Sequence, residues 1–343
     1  MSDFKALVHK GLPPAHCCCD STWRRMPNGE QAVFFVTGPH HEPEPGNYVA
    51  LCRSSDEGIS WGPVETVLRH PAGGAATLSE VSVHQGVISI YVQLHAGRFD
   101  HWETAVIRSS NNGQTWSSPQ IFAPLPRRSM IRNLYQTRAG SWLLPYQYYE
   151  PSRTWEMSVF DDGSIMTPWN GVLMSHSPDG PWKAGKPLQG AVGWAENNVV
   201  ELSDGRIVML SRSGGQANGK GNLLRTESSD GGHTWSGYRL SGIPNPGSKF
   251  RLFRLRDGRI ILLHNPTPAT DHPNGKSVHR NPLGIWISSD DMETWGYQRN
   301  LTDFPGMLAY PDGELDSDEH FLHFAFDFNR HDVIYWRIEI PPA

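Results

Sequence analysis

Charge is scarce along this chain. Only 19% of its residues are Asp, Glu, Lys or Arg, the net charge is -5, and no long basic run occurs. The electrostatic footprint of a nucleic-acid-binding protein is therefore missing. Cysteine is scarcer still, with Cys17, Cys18 and Cys19 in a row and Cys52 apart. Adjacent cysteines make a poor disulfide framework and their spacing matches no zinc site, so reduced, buried thiols are expected, with no metal and no cofactor. No apolar stretch is long enough to cross a membrane, and "MSDFKALVHKGLPP" lacks the apolar core of a signal peptide. A soluble, cytoplasmic protein is the expectation, or a secreted one where a signal peptide has been removed. The sequence does not fix the oligomeric state.

Glycine (34), proline (27) and tryptophan (13) are plentiful in the 343 residues, a profile of many short strands joined by tight turns rather than of long helices. One turn recurs. "SSDEGISW" (54–61), "SSNNGQTW" (109–116), "SHSPDGPW" (175–182), "SSDGGHTW" (228–235) and "SSDDMETW" (288–295) all end on a Trp, at intervals of 55, 66, 53 and 60 residues. The second has Asn111 for Asp, the fifth Met292 for Gly, and the third is degenerate. Each unit reads as four short strands, for example "NNVVELSDG", "RIVMLSRS", "NLLRTESS" and "SGYRLSG". Such a sheet cannot bury both faces alone, so the units pack side by side as blades. The fold expected is all-β, a six-bladed propeller of four-stranded antiparallel blades forming one domain over 1–343. The last blade supplies only three strands, and "FKALVHKGL" (4–12) is expected to complete it and remove an exposed edge.

The recurring turn is expected to be structural. Its Asp accepts hydrogen bonds from turn amides, its Gly takes a positive φ, and its Trp packs between sheets. It joins third to fourth strands, so chemistry is expected at the opposite end of each blade, in longer and irregular loops. Those segments carry His40 and His41 in "TGPHHEPEPGN", His101 in "LHAGRFDHW", Arg132 and Asn133, Glu196, Arg212, Lys249 and Arg251, and Arg280. Clustered guanidiniums imply an anionic ligand. A metal site finds little support, because no two His have helix-like ligand spacing and an adjacent His pair is a poor chelate.

Asp-containing turns on a six-bladed propeller resemble the sialidase (neuraminidase) superfamily over essentially the whole chain. That resemblance implies a Tyr nucleophile activated by a Glu, an Asp acid/base, and three Arg that grip a substrate carboxylate. Tyr310 in "AYPDGEL" matches the Tyr, Glu196 in "WAENNVVEL" its partner, and Arg212 and Arg280 two of the arginines. A neutral Tyr suits an anomeric carbon beside a carboxylate, which would repel a carboxylate nucleophile. Two positions depart from the pattern. Cys19, followed by Asp20, stands where the first Arg is expected, and "TGPHHEPEPGN" has no Asp. His40 and His41, or else Glu42 or Glu44, are the residues there able to serve as acid/base. Asp20, Arg132, Asn133, Lys249, Arg251 and His101 complete the expected ligand contacts. The function expected is an exo-acting glycoside hydrolase on a terminal, acidic sugar of a glycan. The alternatives are a lyase on a uronic-acid-containing glycan and a non-catalytic carbohydrate-binding propeller.

Overall fold

A computed structural model of the chain describes residues 3–97, 102–150, 167–191, 193–212, 221–268 and 280–343. Among the described residues no helix is long and apolar enough to cross a membrane. The fold is an all-β, six-bladed propeller with antiparallel blades. Two compact units carry the blades. Met1–Phe122 with Leu308–Ala343 form unit 1, and Ala123–Met307 form unit 2.

Unit 1 holds three blades. Blade one runs Cys17–Arg25, Gln31–Gly38, Tyr48–Ser54, Glu65–Arg69, and blade two runs Ala75–His84, Val87–His95, Glu103–Ser109, Gln120–Ile121. Blade six begins at Leu308–Leu315, continues through Phe321–Phe328 and Asp332–Glu339, and is completed by Phe4–Lys10 from the other end of the sequence. That last strand pairs from Phe4↔Arg337 to Lys10↔Asp332, so these residues cover the edge left by the missing fourth strand. The strand stops at Lys10, short of the expected residue 12; Leu12 makes only an isolated bridge to Ala15.

Unit 2 holds blades three to five. Blade four (Asn198–Glu201, Ile207–Ser211, Asn222–Ser228, Arg239–Pro244) and blade five (Arg251–Arg254, Ile260–His264, Gly284–Ser288, Tyr297–Asn300) are four-stranded. In blade three the first strand is split into Ser129–Ile131 and Tyr135–Gln136, both paired with Trp142–Tyr148. The break falls at Asn133, whose φ of 55° cannot continue a strand.

Within a blade alternate side chains serve opposite seams. On the second strand of blade one, Val33 and Phe35 pack towards blade six with Tyr335 and Val333, while Ala32, Phe34 and Val36 pack towards blade two with Leu78 and Ile90. Because both faces are buried, the strands read as apolar runs rather than as alternations. The Trp of the recurring turn joins the seam shared with the preceding blade: Trp61 towards blade six, Trp116 towards blade one, Trp235 towards blade three and Trp295 towards blade four.

The turn itself is built four times in one way. In "SSDGGHTW" the Ser228 hydroxyl donates to Asp230 at 2.7 Å and accepts from the Gly232 amide at 2.8 Å. Asp230 then accepts from the Thr234 amide at 2.9 Å and the Thr234 hydroxyl at 2.6 Å. Ser54/Asp56, Ser109/Asn111 and Ser288/Asp290 repeat the arrangement. These bonds hold the Asp56, Asp230 and Asp290 carboxyls down at about 2, chiefly through the hydroxyl they accept from. Gly58 shows why Gly is used: at φ 84° a Cβ would stand 2.3 Å from the Tyr335 ring. Met292 tolerates φ 65° at the matching position while its side chain is buried in the seam of blades four and five.

Candidate active site

Register fixes which ends of the strands meet. Asn198 pairs with Leu210 and Ser211 with Leu224, whereas the turn residue Ser228 pairs with Ile207 near Glu201. Glu196 and Arg212 therefore lie at the end of blade four opposite its turn. Blades one and six follow the same phase, so the 38–48 loop and the turn after Phe328 sit beside the heads of their first strands.

At those heads the backbone departs from regular β geometry. Pairing shifts between Cys19 and Thr22, between Leu78 and Glu80, and between Ala309 and Asp312. Asp20, Asn133, Glu196 and Tyr310 have φ of 50°, 55°, 41° and 57°. A left-handed non-Gly residue costs of the order of 1–3 kcal/mol, and a bulge re-aims the side chain it carries. Four of the residues singled out from the sequence thus share one unusual conformation, each in the first strand of its blade or just ahead of it.

Unit 1 gathers acids around one guanidinium. The Cys19 Sγ and carboxylate oxygens of Asp20 and Glu42 lie within 4.8 Å of one another. A metal ion could bridge donors so spaced, but the cation that meets them is Arg330, which pairs with Glu42 and reaches Asp327 at 3.7 Å. Arg330 also lies 5.1 Å from the centre of the Tyr310 ring. Burial and the neighbouring Asp20 carboxylate push the Glu42 carboxyl up to about 7, against the opposing pull of Arg330. A carboxyl so raised keeps its proton to higher pH than an ordinary glutamic acid does. His40 and His41 are exposed, and their amides donate to Glu44 at 2.9 and 3.0 Å, which turns Glu42 rather than the imidazoles towards Asp20. Below this cluster Arg24, 1% exposed, ties three first strands together by reaching Glu80 at 2.6 Å, Asp312 at 3.0 Å and Glu314 at 3.2 Å.

Unit 2 has the opposite arrangement, one acid among cations. The Glu196 carboxylate meets Arg212 at 2.6 Å and Arg132 at 3.7 Å. Gln147 accepts the Glu196 amide and donates to the Tyr149 hydroxyl, which donates on to the Gly193 carbonyl at 3.1 Å. Burial first, and the Glu196 charge second, hold the Tyr149 phenol well above its usual range, so it serves as a fixed neutral support. Arg280 donates to the Gly247 carbonyl at 3.0 Å, and a Cβ on Gly247 would stand 3.9 Å from the Arg212 Nε. Arg212 and Arg280 thus converge on one loop, held by Asn245 accepting the Gly247 and Ser248 amides at 3.0 Å. Lys249 and Arg251 follow directly and are buried. Asn133 donates weakly to the Val199 carbonyl at 3.4 Å. His101 lies outside the described residues.

Tyr310 belongs to unit 1 and Glu196 to unit 2. Arg330 and Asp327 were missed from the sequence. The signal was available, because "FDFNRHD" is the second-to-third-strand connection of blade six, in phase with "TGPHHEPEPGN". The four cysteines are buried and free, as composition suggested.

The family model for the BNR repeat-like domain matches residues 79–323. The chain belongs to the BNR repeat-like family. A "Sialidase" of Micromonospora viridifaciens is 25% identical to this BNR protein over 331 residues, covering 84% of the chain and 47% of that protein. The chain thus spans about half the length of the curated relative it matches. Among solved structures, Hadza microbial sialidase Hz136 superposes with a TM-score of 0.76 at 16% identity, covering 98% of this chain and 68% of that one. Trypanosoma rangeli sialidase in complex with 2,3-difluorosialic acid (covalent intermediate) gives 0.70 at 14% identity, covering 98% and 59%. A Dyadobacter fermentans protein of unknown function gives 0.70 at 19%, covering 99% and 98%. At these identities the structural likeness establishes the fold.

Proposed function

We propose that this BNR propeller is a glycoside hydrolase that releases a terminal sugar from a glycan through a covalent intermediate on Tyr310. The observation that carries the reading is the Arg330 guanidinium, which faces the Tyr310 ring and pairs with Glu42. A nucleophile and a proton donor are thereby held in one cluster. The Tyr310 oxygen attacks the anomeric carbon, and its proton passes to a carboxylate base. The bond to the leaving oxygen breaks as Glu42, rather than His40 or His41, protonates that oxygen. The carboxylates of Asp20 and Asp327 favour the positive charge that develops on the sugar ring. Water then releases the sugar, with Glu42 acting in reverse.

In unit 2 the arginines organised by Glu196, with Arg280, Lys249 and Arg251, support recognition of an anionic group on the glycan. The naming of relatives as sialidases supports a carbohydrate substrate. The test is Tyr310→Phe assayed across aryl glycosides and natural glycans. Turnover is expected to fall by about 10³-fold or more, with an unchanged melting temperature. Full activity in the variant would refute the assignment, and absorbance from an unsaturated uronate product would move the reading to a lyase.

A further inference from the structure

We infer that Arg24 is a positioning residue: paired with Asp312, it fixes the place of the bulge that holds Tyr310 at the head of blade six. The inference rests on the reading of Tyr310 as nucleophile.

Tyr310 is held against its own preference. Its φ of 57° is left-handed, and Pro311 follows it, although the residue before a proline is steered towards extended backbone. Such a conformation persists only where the surrounding structure over-determines it. Strand register shows what does so. Ala309 pairs with Asp327 and Asp312 with Ala325, so Tyr310 and Pro311 together stand opposite the single residue Phe326. Blade two repeats the device, pairing Leu78 with Val92 and Glu80 with Tyr91, which leaves Ser79 as the extra residue. Blade one carries the same insertion at Asp20 and Ser21.

In blades six and two, regular pairing resumes at an acid, Asp312 and Glu80. Those are the carboxylates that Arg24 binds, at 3.0 and 2.6 Å. Its Nε also donates to the Val81 carbonyl at 2.7 Å. Arg24 itself lies two residues beyond Thr22, where its own strand resumes pairing. One buried guanidinium thus meets the end of the bulge in the first strands of both blades.

A bulge can be absorbed at more than one place along a strand, and a slip of one residue sends each side chain to the opposite face. If the blade six bulge moved past residue 312, the Asp312 carboxylate would turn away from Arg24 and lose its cation. A buried ion pair broken in this way is costly, and that cost selects the register observed. It is the register in which the Tyr310 ring faces Arg330. Glu314 meets the same guanidinium at 3.2 Å, but it lies past the bulge and is 39% exposed. Water can replace its partner, so it holds the register weakly.

Asp312→Asn keeps the shape of the side chain and removes its charge. In the full chain it is expected to lower kcat by about 10²-fold while KM stays within about twofold, as a misplaced nucleophile predicts. Glu314→Gln, which takes a charge from the same guanidinium outside the bulge, is expected to leave kcat within about twofold. Arg24→Lys keeps the charge but lacks the fork that serves Glu80 and Asp312 together. It should resemble Asp312→Asn, and takes its place if that variant does not fold. Crystal structures of the variants read the backbone apart from turnover. Tyr310 is expected to leave its left-handed conformation in Asp312→Asn and to keep it in Glu314→Gln. A Tyr310 backbone unmoved in Asp312→Asn overturns the inference, as does an equal loss of kcat in Asp312→Asn and Glu314→Gln. If the backbone moves as stated while Tyr310→Phe keeps full turnover, the functional reading falls and the positioning stands.

Discussion

The two units differ in the sign of what they bury. Among the described residues of unit 1, the buried Asp, Glu, Lys and Arg side chains are the acids Asp20, Glu80, Asp312 and Asp327 and the base Arg24. In unit 2 the buried charged side chains among the described residues are Arg128, Arg132, Arg225, Lys249 and Arg251, against Glu196 and Glu201. The same supersecondary unit, repeated along one chain, thus carries two kinds of charge cluster. Acids around a single guanidinium suit proton transfer and the stabilisation of a cationic transition state. Cations around a single carboxylate suit the gripping of an anion, because Glu196 holds Arg132 and Arg212 in place without cancelling both.

If that division holds, variants in the two units fail differently. The largest effect is expected from Glu42→Gln, which removes the proton donor: kcat should fall by about 10²–10⁴-fold. In the wild type, activity should decline as pH rises through about 7, where Glu42 loses its proton, and this limb should vanish in the variant. A retained limb would assign the acid elsewhere. The raised carboxyl also has a stability consequence. Between its ordinary 4.5 and about 7 the folded protein holds a proton that the unfolded chain has released, so Glu42 makes stability fall as pH rises.

Arg24→Ala should destabilise by about 3–5 kcal/mol, because it strands the carboxylates of Glu80 and Asp312 in the interior. Urea unfolding checks this, and a loss under 1 kcal/mol would mean the network is better solvated than its burial implies. Arg212→Gln, in unit 2, should raise KM by about tenfold with a smaller change in kcat, the signature of lost ground-state binding. A loss confined to kcat would place Arg212 in the chemistry instead.

The smallest effect concerns the recurring turns. With Asp56, Asp230 and Asp290 held at about 2 against an ordinary 3.8, their contribution is complete above pH 4 and is lost as pH falls towards 2. Asp230→Asn should reproduce the turn as Asn111 already does while flattening acid unfolding in that window. An unchanged acid profile would deny these carboxylates their part.

The fold was legible because the turn repeats. Once Ser228, Asp230 and Trp235 set the phase of one blade, the strands around them and the Phe4–Lys10 closure followed from pairing rules. The heads of the blades were legible in part. Tyr310, Glu196, Asp20 and Asn133 stood out by position, and the structure gives all four the same left-handed backbone. What sequence could not supply was which residue of "PHHEP" turns inward. Glu44 captures the amides of His40 and His41, and that local choice leaves Glu42 facing Asp20. Nor could it show that an arginine 310 residues after Asp20 returns to the same cluster, because that contact depends on blade six packing against the first strand of blade one.

Trapping reads directly whether Tyr310 acts as a covalent nucleophile. The full chain would be incubated with activated fluoroglycosides whose glycosyl-enzyme forms faster than it hydrolyses, then digested and mapped by mass spectrometry. The expected result is one glycosyl group on the peptide containing Tyr310, absent from Tyr310→Phe. A glycosyl group on any other residue, or turnover of the same sugars with no trapped intermediate, would contradict it.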